Sequence, residues 1–449
     1  LRAKHGRPFC SYQQQISSVF KALHEGFFCF FAKFCSYKSL KVATYLLERV
    51  DNMREVVIVS AVRTAIGSIG GTLKDVQPEA LVKTVMEGAV DGIGLDKALL
   101  DEIIIGQTKQ TTDAPNIARV AALMAHIPET VPAYTVHRQC ASSMQAILNG
   151  MQQIQCGYSD VVMAGGVESM STAPFYIRNA RFGVGSGNTA FLDPNIESQP
   201  KSQPKEIYGT FNMIQTADTV AKQFNVSRQE QDEFALASQR KAVAAIDGNR
   251  FVEEIVPFVL PQKKGDPIVF AVDEYPKRST GLEQLAKLKP IFADGTVTAG
   301  NASGRNDGAC AVVLMSAEKA ATLKIKPLAK ILGAAAAGVD PRIMGIGPVP
   351  ATRKLLAKLG MDVQDFGLVE INEAFAAQAV ACAKELGISM DRLNVNGGAI
   401  ALGHPLGCSG ARICTTLIHE MQKRQEQYGL ATICIAGGLG MAMAFERIE

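Results

Sequence analysis

Val161-Val162-Met163-Ala164-Gly165-Gly166, a short apolar run closing on paired glycines, recurs as Thr432-Ile433-Cys434-Ile435-Ala436-Gly437-Gly438 near the other end of the chain. What precedes each copy also matches. In the first, Pro132-Ala133-Tyr134-Thr135-Val136 leads into Cys140 and then into a helical pattern, where Met144, Ile147, Leu148, Met151 and Ile154 keep the 3.6-residue period. In the second, Leu393-Asn394-Val395-Asn396 leads through a glycine-rich turn into His404 and another helix. The same order of elements occurs twice. Two similar halves of roughly 120 residues, each able to supply one sheet, fall within ordinary domain size.

Outward from these copies, short apolar runs alternate with helical patterns from Met53 onward, starting with Val56-Val57-Ile58-Val59. That alternation predicts layered α/β architecture with largely parallel strands. Between the halves, residues 171–305 are rich in Asn, Ser, Gln, Pro and charge. One helix is plain there, since Ser227 stands three positions before Glu230 in a capping-box pattern. The rest reads as loop, and loops of such length in an ordered protein are usually functional, so the segment is expected to be a lid or substrate-binding insertion. The expected organisation is 53–170 with 306–326 as the N-terminal half, 171–305 as the insertion and 327–449 as the C-terminal half. Residues 1–52 differ, with three of the ten cysteines and the cluster Phe27, Phe28, Phe30, Phe31 and Phe34. They read as a disordered extension without a fold of its own. A transit peptide is the rival reading, favoured by Arg2, Arg7 and several serines and weakened by Glu25, Glu48 and Asp51.

Composition narrows the function classes. Forty-six basic against 43 acidic side chains, a formal charge of +3, give no concentrated basic surface for nucleic acid. The longest strongly apolar stretch, Gly26 to Cys35, is interrupted by Lys33 and is half the roughly 20 residues of a membrane span. Ten cysteines without a CxxC pair argue against a disulfide framework and a zinc site, and read as reduced thiols of a cytoplasmic protein. Six histidines, none paired at helical spacing beside a carboxylate, leave a catalytic metal little to bind.

Cys140 lies between a strand and a helix start, where the helix dipole and free N–H groups lower a thiol pKa and can also bind an oxyanion. By itself it could equally be an inert packed cysteine. His404, held in Gly397-Gly398-Ala399-Ile400-Ala401-Leu402-Gly403-His404-Pro405, is fixed well enough to serve as a base, or else caps a helix. The glycines match neither Gly-x-Gly-x-x-Gly nor a Walker pattern, so phosphate binding is discounted. Cys434 replaces a repeat counterpart, Val162, that needs no sulfur, yet a small buried residue would also suit the place. Asn372 ends the strand Leu368-Val369-Glu370-Ile371, at the strand end where such sheets gather active sites, though a helix cap would stand there too. Glu373 reads better as support for the following helix than as an orienting group. Thr298-Ala299-Gly300-Asn301-Ala302-Ser303-Gly304, small and polar, would let a ligand approach the backbone, or is an ordinary turn.

Collectively these residues resemble the thiolase family, the acetyl-CoA acetyltransferases and 3-ketoacyl-CoA thiolases. The likeness runs from Met53 to Glu449 and rests on four ordered motifs: His137-Arg138-Gln139-Cys140-Ala141-Ser142-Ser143, Asn372-Glu373-Ala374-Phe375, Gly403-His404-Pro405 and Cys434-Ile435-Ala436-Gly437-Gly438. The resemblance implies a thiolase-like α/β/α/β/α core of two similar halves. It implies reversible condensation of two acetyl-CoA to acetoacetyl-CoA, or thiolysis of 3-ketoacyl-CoA, with ping-pong kinetics. Cys140 would carry the acyl group, His404 take the thiol proton, and Cys434 exchange the α-proton. One oxyanion hole would come from His404 and a water held by Asn372, the other from the backbone N–H groups of Cys140 and Ala436. Ser303, Ala299, Gly300, Met213 and Phe375 would meet the pantetheine and acyl groups, and Arg278 or Lys277 the CoA phosphates. Coenzyme A and its esters would be substrates, with no permanently bound cofactor and no metal, and the assembly would be a homodimer or homotetramer.

Two positions depart from the family pattern. Ala436 stands where glycine is common, and Asn212 where many short-chain members have histidine, which leaves substrate preference open. A ketoacyl-synthase-like condensing enzyme would be expected to place a second histidine near Cys434. A non-catalytic acyl-CoA or lipid-binding protein on the same scaffold would have no need to keep both cysteines and His404.

Overall fold

The strand Val56–Arg63 (β1) sends alternate side chains into two cores: Val56 and Ile58 into an inner one, Val57 and Val59 into an outer one. Burial on both faces is why it reads as a continuous apolar run rather than an alternating one. The computed structural model describes residues 53–449, so the expectation for residues 1–52 lies outside the described residues. The other long strands are Glu102–Gly106 (β2), Ala133–Val136 (β3), Val161–Ser169 (β4), Asn306–Ser316 (β5), Ala329–Gly338 (β6), Leu368–Ile371 (β7), Tyr428–Ile435 (β8) and Leu439–Arg447 (β9). They form one sheet in the order β7-β8-β9-β6-β1-β5-β4-β2-β3.

The repeat is visible in that order. β1-β5-β4-β2 on one side mirrors β6-β9-β8-β7 on the other, and the halves join where β1 meets β6 through only two residue pairs, Val57 with Lys330 and Ile58 with Ala329. The helices Ser142–Gln155 and Leu406–Arg424 pack together between the half-sheets in the inner core. Pro78–Asp91 and Ile117–Met124 cover the outside of one half, Pro348–Leu359 and Ala376–Leu386 the outside of the other. This is the expected α/β/α/β/α layering.

The expectation of largely parallel strands needs correction. β2 runs parallel to β3 and β4, and β7 to β8, but the pairs β1–β5, β4–β5, β8–β9, β6–β9 and β1–β6 are antiparallel. The reason lies after each copy of the opening motif. In the C-terminal half, Gly437 (φ 91°) and Gly438 (φ 83°) reverse the chain straight into β9, left-handed conformations that suit glycine. In the N-terminal half, β4 continues through Gly165 and Gly166 as strand, and the return to antiparallel β5 is made by the whole insertion.

The insertion holds more order than loop. Arg228–Asp247 is the predicted helix, with Ser227 and Glu230 closing the capping box. A second helix, Met213–Gln223, is also capped by a box, from Asn212 and Gln215, a sequence signal of the same kind. Short helices at Pro194–Glu197, Lys205–Tyr208 and Leu282–Lys287 and a two-stranded ribbon complete it. A buried ion cluster ties it to β1: the Arg63 guanidinium clamps Asp273 at 2.7 and 2.9 Å and reaches Glu254 at 2.6 Å.

Candidate active site

Cys140 sits on a sharp strand-to-helix turn. Gln139 before it is left-handed (φ 45°), and the helix Ser142–Gln155 begins two residues later with Ala141 as its N-cap. Non-glycine residues in that conformation cluster at functional sites. The side chain is 7% exposed and lines a cavity of about 300 Å³ together with His404, Phe375, Met213, Ala299, Ser303 and Ala436. The expectation of a lowered thiol pKa does not hold. Burial pushes the thiol up to about 11, and the N–H groups of Ala436 and Cys140 and the charge of Lys109 recover only part of that shift. Desolvation outweighs the helix start. Those same two N–H groups, the expected oxyanion donors, both bear on the sulfur. Ala436 does not adopt a positive φ, so alanine serves there as well as glycine.

His404 follows Gly403, whose φ of 106° and close approach to Asn306 exclude a side chain; a Cβ there would lie 2.4 Å from the Asn306 amide carbon. Asn306 in turn accepts the His404 N–H at 3.0 Å. The ring is fixed by a relay. The Ser409 hydroxyl donates to the Pro405 carbonyl at 2.8 Å, which leaves its oxygen to accept from Nδ1–H of His404 at 2.6 Å. Nε2 therefore carries the lone pair, facing Asn372 Nδ2 at 3.5 Å. Burial, with the positive charge of Arg412, lowers the imidazole pKa to about 3. A neutral thiol and a neutral imidazole share one cavity wall.

Asn372 is fully buried and is no helix cap, since Phe375 holds that position for Ala376–Leu386. Its Oδ1 has no hydrogen-bond partner among the described residues. Glu373 proves to be an orienting group rather than support for the helix. Its carboxylate accepts from Ser238 (2.6 Å), Asn394 (2.7 Å) and the Ile400 N–H (3.1 Å), joining the insertion to the loop that leads into His404. Cys434 is wholly buried in a cluster with Phe375, Met344, Ala374 and Met213, behind the cavity surface. Burial first, then the proximity of Cys140, raises its thiol pKa well above the ordinary value.

The expected CoA contacts divide. Met213, Phe375, Ala299 and Ser303 line the cavity with Cys140. Gly300 and Lys277 line an adjoining one that shares Tyr275 and Ala299 with the first. Arg278 belongs to neither, because both its terminal nitrogens are engaged by Asp247 at 2.9 and 2.7 Å on the exposed surface. Asn212 spends its side chain on the cap of Met213–Gln223. Sequence reading missed Ser409, whose spacing of five from His404 was the available signal, and Lys109, which nothing local marks.

Every cysteine among the described residues is a free thiol. Among the same residues no group of three or more His, Cys, Asp or Glu could hold a metal ion, and no helix is long and apolar enough to cross a membrane.

Residues 56–318 match the thiolase N-terminal domain and residues 325–447 the thiolase C-terminal domain. An acetyl-CoA acetyltransferase of Pseudomonas aeruginosa is 48% identical over 396 residues, covering 88% of this chain and 100% of the relative. Of solved structures, the Bacillus anthracis acetyl-CoA acetyltransferase has a TM-score of 0.85 at 46% identity, covering 88% of this chain and 99% of that one. Human mitochondrial 3-ketoacyl-CoA thiolase in complex with CoA has a TM-score of 0.84 at 41% identity, covering 88% and 98%. The chain belongs to the thiolase family of acyltransferases.

Proposed function

We propose that this chain is an acetyl-CoA C-acetyltransferase, joining two acetyl-CoA into acetoacetyl-CoA and cleaving 3-ketoacyl-CoA in reverse, through an acyl group carried on Cys140. The observation that carries the reading is the fixed tautomer of His404, with an unprotonated Nε2 on the cavity wall that also presents the Cys140 sulfur. Because thiol and imidazole are both neutral, the proton moves from sulfur to Nε2 as the thioester is attacked. Nε2–H then becomes a donor to the oxyanion, beside a water held by Asn372 Oδ1. The N–H groups of Cys140 and Ala436 serve the second oxyanion, which forms on the group bound to Cys140. Cys434 exchanges the α-proton, and its burial near Cys140 supports that reading.

The reading extends to the halves at 53–170 with 306–326 and at 327–449, to the CoA-binding insertion at 171–305, to a homo-oligomeric assembly and to fatty acid metabolism in the cytoplasm. Coenzyme A enters as substrate rather than resident cofactor, along the adjoining cavity lined by Lys277, Tyr275 and Gly300. Acetoacetyl-CoA thiolysis tests the reaction. The wild type should cleave it and trap an acetyl group that survives denaturation, and Cys140→Ser should do neither. Turnover by Cys140→Ser equal to wild type would refute the assignment.

A further inference from the structure

The cavity that presents Cys140 is lined by two cations, Lys109 and Arg305, and by no carboxylate. Lys109 is only 8% exposed. Its ammonium donates to Ser198 Oγ at 2.7 Å and to the Pro194 carbonyl at 3.1 Å, both neutral groups, with no carboxylate in ion-pair range among the described residues. The side chain of Arg305 makes no hydrogen bond or ion pair among the described residues. Glu168, the acid whose charge acts most on Lys109, lies outside ion-pair range of the ammonium and off the cavity lining; its carboxylate accepts from Thr108, from the Lys109 backbone N–H at 2.9 Å and from the Gly407 N–H at 3.0 Å. Asp193 is spent capping Pro194–Glu197. Burial lowers the Lys109 pKa, the charges of Glu168, Cys140 and Asp193 recover part of that shift, and the like charge of Arg305 lowers it again. Holding two like charges in a largely apolar wall costs free energy unless an anion joins them.

We propose that Lys109 and Arg305 form a receptor for a carboxylate at the far end of the acyl chain, so that the preferred substrates are 3-oxoacyl-CoA esters of dicarboxylic acids. The proposal rests on the acyl-transfer reading above and deepens it. The phosphates of CoA are not the anion meant, because the pantetheine arm separates them from the thioester, whereas the charge of Lys109 acts on the Cys140 sulfur itself. In thiolysis the Cys140 sulfur adds to the 3-oxo carbon and the bond between the α- and β-carbons breaks. Its electron pair departs with acetyl-CoA as an enolate, which takes a proton from Cys434. The carboxylate-bearing acyl group stays on sulfur until the CoA thiol, giving its proton to the Cys434 thiolate, attacks the acyl carbon and breaks its bond to Cys140, whose sulfur recovers its proton from His404. Throughout, the ω-carboxylate stays paired with the two cations, which orients the acyl chain.

The test compares 3-oxoadipyl-CoA with the uncharged 3-oxohexanoyl-CoA, equal in chain length, in wild type, Lys109→Met and Arg305→Met, with acetoacetyl-CoA alongside. Wild-type kcat/KM should favour 3-oxoadipyl-CoA by about tenfold or more, and each variant should lower that ratio by about tenfold, since a buried charge left without its partner discriminates strongly. Arg305 is only half-buried, so its variant reports the ratio even where Lys109→Met does not fold. A wild type that treats the two esters alike overturns the proposal. So does an unchanged ratio in both variants; a slowing of both esters alike by Lys109→Met would assign that lysine to the sulfur instead. Failure of the wild type to cleave acetoacetyl-CoA would strike the acyl-transfer reading itself, and the receptor with it.

Discussion

Ser409 holds His404: its hydroxyl oxygen accepts the Nδ1 proton at 2.6 Å while its own proton goes to the Pro405 carbonyl. No other arrangement of the two protons satisfies both contacts. Ser409 is thus a positioning residue, acting through the ring. Ser409→Ala frees the ring to adopt the other tautomer, in which Nε2 carries the proton and cannot accept one from sulfur. We expect kcat for acetoacetyl-CoA thiolysis to fall about tenfold or more with KM nearly unchanged, as for loss of an interaction used only in the transition state. A rise in KM at constant kcat would show that the serine serves binding instead.

The pH dependence of alkylation follows from burial. With Cys140 pushed up to about 11 and His404 down to about 3, the free enzyme holds neither as an ion at pH 7. Inactivation by iodoacetamide should be slow near neutrality and climb steadily to pH 10. A plateau below pH 8 would instead reveal a thiolate–imidazolium pair.

Glu370 makes a prediction about stability. Burial outweighs the nearby Arg412 and raises its carboxyl from 4.5 to about 8. The folded form therefore keeps a proton that the unfolded chain releases, so stability should be greatest below about pH 4.5 for this group and decline as pH rises to about 8. In Glu370→Gln, whose amide mimics the neutral acid, that part of the decline should vanish. Melting temperature measured from pH 5 to 9 in both proteins checks it; parallel curves would count against the shift.

Arg63 anchors the insertion. Arg63→Met leaves Asp273 and Glu254, both buried, without their counter-charge, and breaking such a cluster from one side costs about 3–5 kcal/mol. Urea denaturation should show the loss. A change under about 1 kcal/mol, the range of exposed pairs, would show that water reaches the cluster.

Much of this arrangement was legible in the sequence because strand–turn–helix order is local. The repeat placed Cys140 and His404 at equivalent turns, and the fold brings both to one cavity. Asn212 and Gln215 carry the same kind of capping signal before Met213–Gln223 that marks Arg228–Asp247. What could not be read locally was burial. The thiol of Cys140 was expected to be acidic because a helix start is visible in sequence, while the packing that desolvates it comes from distant segments. Lys109 was hidden for the same reason, since its partners Pro194 and Ser198 lie 85 and 89 residues away. Strand direction is not legible locally, because a glycine pair looks the same whether it turns the chain, as Gly437-Gly438 does, or continues the strand, as Gly165-Gly166 does.

That contrast divides the labour of the enzyme. One half closes its strand pair with three residues, Ala436, Gly437 and Gly438, and carries His404, Asn372 and Cys434; the other makes the same return through the whole stretch between Ser169 and Asn306, which brings Met213, Ala299 and Ser303 to the cavity of Cys140. Selectivity can therefore change by exchange of the stretch between Ser169 and Asn306, whose ends emerge from neighbouring strands, while the duplicated chassis and its proton-transfer chemistry stay as they are.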